Sequence, residues 1–211
     1  YQHPCWRENL EVLLVAIVVA SGIKAYFLQP FKIPTRSMQP SLNGEWFISS
    51  TPWGPLVHAK LGIAEENSGK LVSLLRREAH ALARLENRHH LLSDGSPGIG
   101  CPVMASITGS QMVLIVTEPT LSGLHDLKRV AALTAQFRVK TAVCVNKADL
   151  NPEMVQAIRE EVEAQGIPLL ATIPYDDEVT QAQIAGRPVV EGSSPAAQAI
   201  RALWISVLEI L

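Results

Sequence analysis

The sequence lacks several features that would point directly to a function. Its three cysteines, Cys5, Cys101 and Cys144, lie far apart and form no C-x-x-C pair. Neither a disulfide framework nor a zinc site is therefore indicated, no iron–sulfur cluster is expected, and buried thiols in a reducing compartment are the simplest interpretation. The 18 Lys and Arg are balanced by 20 Asp and Glu, giving a net charge of −2. Because no basic excess is present, no nucleic-acid partner is expected.

A complete phosphate-binding loop of the form G-x-x-x-x-G-K-[ST] is also absent. The segment ENSGKLV at 66–72 contains Gly69 and Lys70, which look like the end of such a loop. However, Lys70 is followed by Leu71 rather than Ser or Thr, and the position five residues before Gly69 is Ala64. Lys70 is therefore not expected to hold a phosphate.

One long apolar run stands near the start of the chain. Residues 10–28 read LEVLLVAIVVASGIKAYFL, which meets the length of about 20 residues that a membrane-spanning helix needs. Glu11 and Lys24 lie near its ends, where charged groups can reach the interface. A cleaved signal peptide and a buried core helix are the alternatives. We interpret the run as a single-pass membrane anchor.

The residues that follow the apolar run carry a specific motif. Pro30, Pro34 and Pro40 prevent a continuing helix, so 29–42 is expected to be extended. The pattern F-x-I-P-x-x-S-M-x-P-[ST]-L resembles the start of bacterial type I signal peptidases. The resemblance implies that Ser37 is a nucleophile and that the anchor lies in a bacterial inner membrane. That family pairs its serine with a buried lysine base on a later strand. Lys60 and Lys70 lie at plausible distances, but none of the family's later motifs surrounds them.

From Gly44 onward the pattern predicts an α/β fold. Apolar runs predict strands at 89–95, 112–120, 140–149 and 167–176. Helix-period segments lie at 122–137 and 151–166, capped by Ser122 and by Asn151, and a last helix follows Ser194. Fully apolar strands joined by helices indicate a parallel sheet that is buried on both faces.

Two groups of polar residues end strands of the predicted sheet, where parallel sheets bind ligands. Asp94 could hold Mg²⁺, and Gly95 and Gly98 would let the backbone approach a phosphate. Asn146 and Asp149, in the segment NKAD, could read a purine edge. An ordinary Asp-Gly turn and an Asn/Asp-rich loop are the alternative interpretations.

Taken in order, these motifs resemble the MinD/ParA group of P-loop ATPases, and most closely a subgroup with a ferredoxin-like insertion. The resemblance implies Mg–ATP bound between two protomers, with Asp94 near the metal and Asn146 near the adenine. The partner would be a second copy or an intact ATPase. The pieces that carry the resemblance are GPLVHAKLGIAEENSGKLVSLLRR (54–77), DGSPGIGCPVMASITGS (94–110), VLIVTEPTLSGLHDLKRV (113–130), VCVNKADLNPE (143–153) and IPYDDEVTQAQIAGRPVVE (173–191).

The family's opening strand and its loop K-G-G-x-G-K-[ST] are not found, nor are the ferredoxin cysteines. The sequence thus predicts an anchor with a serine box at 1–43, fused to a partial nucleotide-binding domain at 44–211 whose sheet lacks its first strand. At this junction the signal-peptidase part ends before its lysine base, and the ATPase part begins after its phosphate-binding loop. The meeting of these two truncations at one point favours a recombined reading frame. We expect ATP binding without hydrolysis, and basic residues after the anchor favour a cytoplasmic location for the domain. Peptidase activity and a non-catalytic membrane-tethered interaction module are the alternatives.

Overall fold

A computed structural model describes residues 12–18, 45–60, 69–96 and 98–211, the first range and Glu45 by their backbone alone. Five parallel strands form one sheet in the order β4-β1-β5-β6-β7, and β2 and β3 form a separate antiparallel hairpin. The strands are β1 (Val12–Val18), β2 (Glu45–Thr51), β3 (Gly54–Lys60), β4 (His90–Gly95), β5 (Met112–Thr117), β6 (Lys140–Asn146) and β7 (Leu169–Ile173). The helices are α1 (Gly69–Leu85), α2 (Cys101–Ile107), α3 (Leu121–Gln136), α4 (Pro152–Ala164), α5 (Asp177–Ile184) and α6 (Pro195–Ile210).

The β1 strand corrects the prediction of a membrane helix. Val12–Val18 pairs in parallel with β4 on one side and with β5 on the other. The helix predicted over 10–28 is therefore wrong for these seven residues, since a run of Val, Leu and Ile suits a strand buried in a parallel sheet as well as it suits a lipid-facing helix. The rest of the predicted span lies outside the described residues. Among the described helices, none is long and apolar enough to cross a bilayer.

The position of β1 decides where the sheet can bind a ligand. The chain goes from β1 to β4 on one side, then returns past β1 to β5 and continues outward to β6 and β7. The direction of winding therefore reverses at β1. In open α/β sheets the crevice at such a switch point, beyond the carboxyl ends of the strands, is where ligands bind. The sheet that was expected to lack its first strand thus has a strand at this inner position.

The strands predicted after residue 89 are confirmed, with shorter ends. β5 stops at Thr117 and β6 at Asn146, because the polar residues that follow turn into helices. Asn151 caps α4, its side chain accepting a hydrogen bond from Met154 N, as predicted. The α3 cap is Thr120 and not Ser122, since the Thr120 hydroxyl accepts from Gly123 N at 2.9 Å.

Both faces of the sheet are buried, as the continuous apolar strands predict. Along β5, Val113 and Ile115 face a core formed with α2, α3 and α4. The alternate residues Met112 and Leu114 face a second core, formed with α6. β6 repeats this alternation, and its Cys144 lies in the second core. The described domain therefore has three layers, with the sheet in the middle.

The hairpin of β2 and β3 and the helix α1 stand beside the β4 edge of the sheet. Ser49 is fully buried in the hairpin, and its hydroxyl is 2.9 Å from His58 Nε2. α1 packs on α2, where Gly69 approaches so closely that an added Cβ would lie 3.0 Å from the Cys101 carbonyl oxygen. Gly69 and Lys70 therefore begin a helix that is packed on another helix.

Candidate functional site

The predicted ligand residues lie along the same edge of the sheet, at the carboxyl ends of its strands. Asp94 and Gly95 end β4, and Asn146 ends β6. In the sheet order, β1 and β5 lie between these two strands. Three strand spacings of about 4.8 Å therefore separate the two ends, or about 14 Å. The two groups flank the switch point from opposite sides.

Asp94 is exposed to solvent on one side and on the other lines a partly enclosed pocket formed with β3 and α1. Burial raises the pKa of its carboxyl, while the backbone hydrogen bond with Gly95 acts in the opposite direction. Gly95 is buried at the strand end, and Gly98 has a φ of +87°, a conformation that side chains disfavour. The turn after β4 thus depends on glycine at position 98 because of its backbone conformation, since an added Cβ there would meet no described atom within 4 Å.

Asp94 provides a single carboxylate, which limits the kind of metal site that it can form. Among the described residues, no three His, Cys, Asp or Glu side chains are grouped as a protein cage for a metal would require. Mg²⁺ is commonly held by one or two carboxylates together with water and substrate phosphates. Asp94 therefore suits a magnesium ion that arrives with a nucleotide.

The NKAD segment connects two neighbouring loops. Asn146 Oδ1 accepts a hydrogen bond from Lys147 N at 3.0 Å. Lys147 has a φ of +54°, and its Nζ lies 2.8 Å from Glu118 Oε1, just beyond β5. Asp149 Oδ1 accepts from Tyr175 N at 2.6 Å, just beyond β7. The sequence places these residues at the edge but gives no signal for the two cross-loop contacts.

The two lysines considered as a peptidase base are both described by the structure, whereas the serine is not. Ser37 lies outside the described residues. Lys60, at the end of β3, and Lys70, in the first turn of α1, are both exposed. A lysine that acts as a base for a serine must be kept neutral by burial. Neither lysine meets that requirement.

The thiols differ from the expectation that all are buried. Cys144 is buried, and burial raises its pKa to about 12. Cys101, by contrast, is exposed at the start of α2. Cys5 lies outside the described residues.

A cavity of about 800 Å³ lies between the hairpin, α1 and β4. Its described lining is mainly apolar, for example Leu75 and Leu91, with His58, Arg76 and Asp94 among its polar members. Burial lowers the pKa of Arg76, whose Nη1 donates to Ala105 O at 2.5 Å, near the end of α2. Sequence reasoning missed this cavity, since it depends on how the hairpin sits against α1.

Asp176 ties the last two helices together at the same edge. Its Oδ1 accepts from Glu178 N at 3.0 Å, and its Oδ2 accepts from Ala196 N at 3.1 Å. The Ala196 N–H, with help from the Ser194 hydroxyl and Glu178 N–H, holds the pKa of Asp176 below its usual value. The carboxylate therefore caps α5 and α6 together, a contact between residues 20 apart.

This cap predicts a pH-dependent contribution to stability. Because the folded-state pKa of Asp176 is depressed, its stabilisation is present above the unfolded-state value of about 4 and is lost as pH falls through the folded-state value. The wild type should be more stable than Asp176→Asn at pH 7, and the difference should shrink below pH ~4. Urea unfolding from pH 7 to 3 measures this. Glu209→Gln, on the exposed part of α6, is the control, and a pH-independent difference would contradict the prediction.

Comparisons with known proteins agree with this architecture. No family model matches the chain. The chain is 30% identical over 126 residues to a septum site-determining MinD protein of Mesostigma viride, covering 56% of the chain and 43% of that protein. It is also 30% identical over 140 residues to an uncharacterised ATP-binding protein of Methanocaldococcus jannaschii, covering 65% and 52%. The chain thus matches about half or less of the length of these curated relatives.

Solved structures show the same fold. A ParA family ATPase from Chlorobium tepidum superposes with a TM-score of 0.62 at 18% identity, covering 98% of the chain and 88% of that protein. MinD from Pyrococcus horikoshii, complexed with Mg-ADP, gives a TM-score of 0.55 at 21% identity, covering 68% and 58%. The chain therefore has the α/β fold of the MinD/ParA-like P-loop ATPases, and it is related in sequence to MinD proteins. The resemblance of 1–43 to signal peptidases and the ferredoxin-insert subgroup find no support in these comparisons.

Proposed function

We propose that the chain binds a magnesium–adenine nucleotide at the carboxyl edge of its sheet, weakly and without hydrolysing it. The observation that carries this proposal is the placement of Asp94 and Asn146 on opposite sides of the switch point at β1. A nucleotide extends from phosphates to base, so the two ends of the ligand need recognition groups that are separated in this way. The related ATP-binding protein and the Mg-ADP complex of a structural neighbour support the choice of ligand.

In this proposal the residues at and just after the end of β4 bind the phosphates with their magnesium ion, and the residue that ends β6 binds the base. Asp94 would hold the magnesium ion, which neutralises phosphate charge, and Gly95 and Gly98 would let the backbone approach the phosphates. Asn146 Oδ1 is already used by Lys147 N, so its amide N–H groups are directed to other acceptors, such as a ring nitrogen of the base. Weak binding follows because the 211 residues contain no G-x-x-x-x-G-K-[ST] loop to surround the phosphates.

The same edge carries the surface that would meet a partner. Leu121, Leu150 and Tyr175 follow β5, β6 and β7, and they are 78%, 62% and 49% exposed. Apolar side chains that cluster at a ligand edge favour pairing with a second copy or with an intact ATPase. Sedimentation of the chain with and without Mg–ATP would reveal such pairing, and an unchanged monomer in both would exclude a homodimer.

Replacing Asp94 with Asn tests the metal role directly. The variant keeps the shape of the side chain and removes its charge, so its Kd for Mg–ATP should rise about tenfold, while its affinity for ATP in EDTA should change little. Isothermal titration of the full chain at millimolar nucleotide measures both. Asp126→Asn, on α3, is the matched control. No heat from wild type at millimolar Mg–ATP would overturn the proposed function, and equal losses with and without magnesium would remove Asp94 from the metal site.

A further inference from the structure

The two charged side chains of the NKAD segment contact the loops on either side of it. Lys147 pairs with Glu118 in the loop after β5, at 2.8 Å. Asp149 accepts from the backbone of Tyr175 in the loop after β7, at 2.6 Å. The three loops that follow β5, β6 and β7 are thus joined by two contacts, both made from the middle loop.

Tyr175 is held at two points and still reaches solvent. Its backbone N–H donates to Asp149, and its phenol hydroxyl is hydrogen-bonded to the carboxylate of Asp177, which raises the pKa of the phenol. The side chain is nevertheless 49% exposed. It stands two residues past Ile173, which is the partner of Asn146 in the sheet register. An aromatic ring fixed at both ends beside Asn146 offers a flat surface at low cost in conformational entropy.

We infer that Asp149 is a positioning residue, whose carboxylate anchors the β7–α5 loop so that Tyr175 forms a wall beside Asn146. This inference rests on the proposed nucleotide function for the use of that wall, but the anchor itself is a property of the protein without ligand. It differs from the expectation that Asp149 reads a purine edge, because Oδ1 of that carboxylate already accepts the Tyr175 N–H. A hydrogen bond between a charged acceptor and a loop amide is strong enough to hold a loop of this size in place.

Two substitutions at Asp149 separate anchoring from direct base recognition. Asp149→Asn retains an oxygen acceptor for Tyr175 N and loses the charge, whereas Asp149→Ala loses both. Hydrogen exchange of the Tyr175 amide, followed by NMR on the full chain without nucleotide, should become faster by no more than about threefold in Asp149→Asn and by about tenfold or more in Asp149→Ala. Glu153→Ala, which removes an exposed acid from the first turn of α4, is the matched control.

Nucleotide titration supplies the second readout. With Mg–ATP, Asp149→Asn should bind within about twofold of wild type, and Asp149→Ala should bind about tenfold more weakly, which is the pattern of rescue by a retained acceptor. Equal losses in both variants, with the Tyr175 amide unaffected, would show direct recognition and overturn the inference. If no variant or wild type binds nucleotide, the proposed function fails, while the exchange measurement still decides whether Asp149 anchors the loop. Unchanged exchange in Asp149→Ala would refute the anchor.

Discussion

Replacing Val15 with proline should lower the free energy of unfolding by about 3 kcal/mol. Val15 lies in the middle of β1, opposite Ser93 of β4 and Val113 of β5. Proline has no N–H to donate to a ladder, and within a central strand it leaves a buried carbonyl on a neighbouring strand without a partner. The effect should be global, because β1 joins the β4 side of the sheet to the rest. Urea unfolding followed by far-UV circular dichroism measures it.

The Val15→Thr variant is the control, since it keeps the N–H and a β-branched side chain. It should lose much less stability than the proline variant. If Val15→Pro unfolds at the same urea concentration as wild type, β1 is not an inner strand of the folded sheet. Such a result would restore the interpretation of residues 10–28 as a segment apart from the domain.

The Gly123→Ala substitution should destabilise the domain by about 2 kcal/mol, although alanine is the better helix former. A Cβ at position 123 would lie 2.3 Å from the Glu118 carbonyl oxygen and 2.8 Å from Thr117 Oγ1. Relieving such an overlap with backbone costs about 3 kcal/mol, because α3 must move away from the end of β5. Alanine returns about 1 kcal/mol through its helix propensity. The steric term therefore wins.

Thermal unfolding of Gly123→Ala and Gly100→Ala compares a crowded glycine with an uncrowded one. A Cβ at Gly100 would come no closer than 3.6 Å to its neighbour, Pro102 Cδ, so that variant should lose only about 1 kcal/mol or less, the cost of alanine at the N-cap of α2. Equal stability of the two variants would mean that α3 can shift without cost. Because Glu118 also pairs with Lys147, the displaced helix in Gly123→Ala should disturb the ligand edge as well.

Sequence pattern was sufficient for the parts of the fold that depend on local signals. Continuous apolar runs at β5 and β6 predict buried strands, and Asn151 followed by Pro152 predicts the start of α4, all of which the structure confirms. These local signals do not predict the order of the strands in the sheet. Asp94 and Asn146 could be placed at one edge, because the carboxyl ends of parallel strands share it, but the distance between them depends on β1 and β5 lying between their strands.

The prediction of a membrane helix over residues 10–28 was wrong for β1 because its sequence suits both a lipid bilayer and the interior of a sheet. The residues of β1 are apolar on both sides, and the interior of a parallel sheet and a lipid bilayer select the same side chains. Only the length of the apolar run favoured a membrane-spanning helix over a strand. The contacts of Asp149 and Asp176 were missed for a different reason, since they join residues 26 and 20 positions apart and leave no periodic mark in the sequence.

The inner position of β1 also has a consequence for how the chain folds. Leu14 pairs with Leu92 and with Met112, so about 80 and 100 residues separate the partners along the chain. During synthesis at about 5–20 residues per second, β1 must wait several seconds before either neighbour has left the ribosome. Non-local parallel pairing of this kind is slow, because the entropy of closing a long loop is lost before any contact compensates for it. In that interval an apolar strand is a target for chaperones and for self-association, so the yield of folded protein should depend on how quickly β4 and β5 arrive.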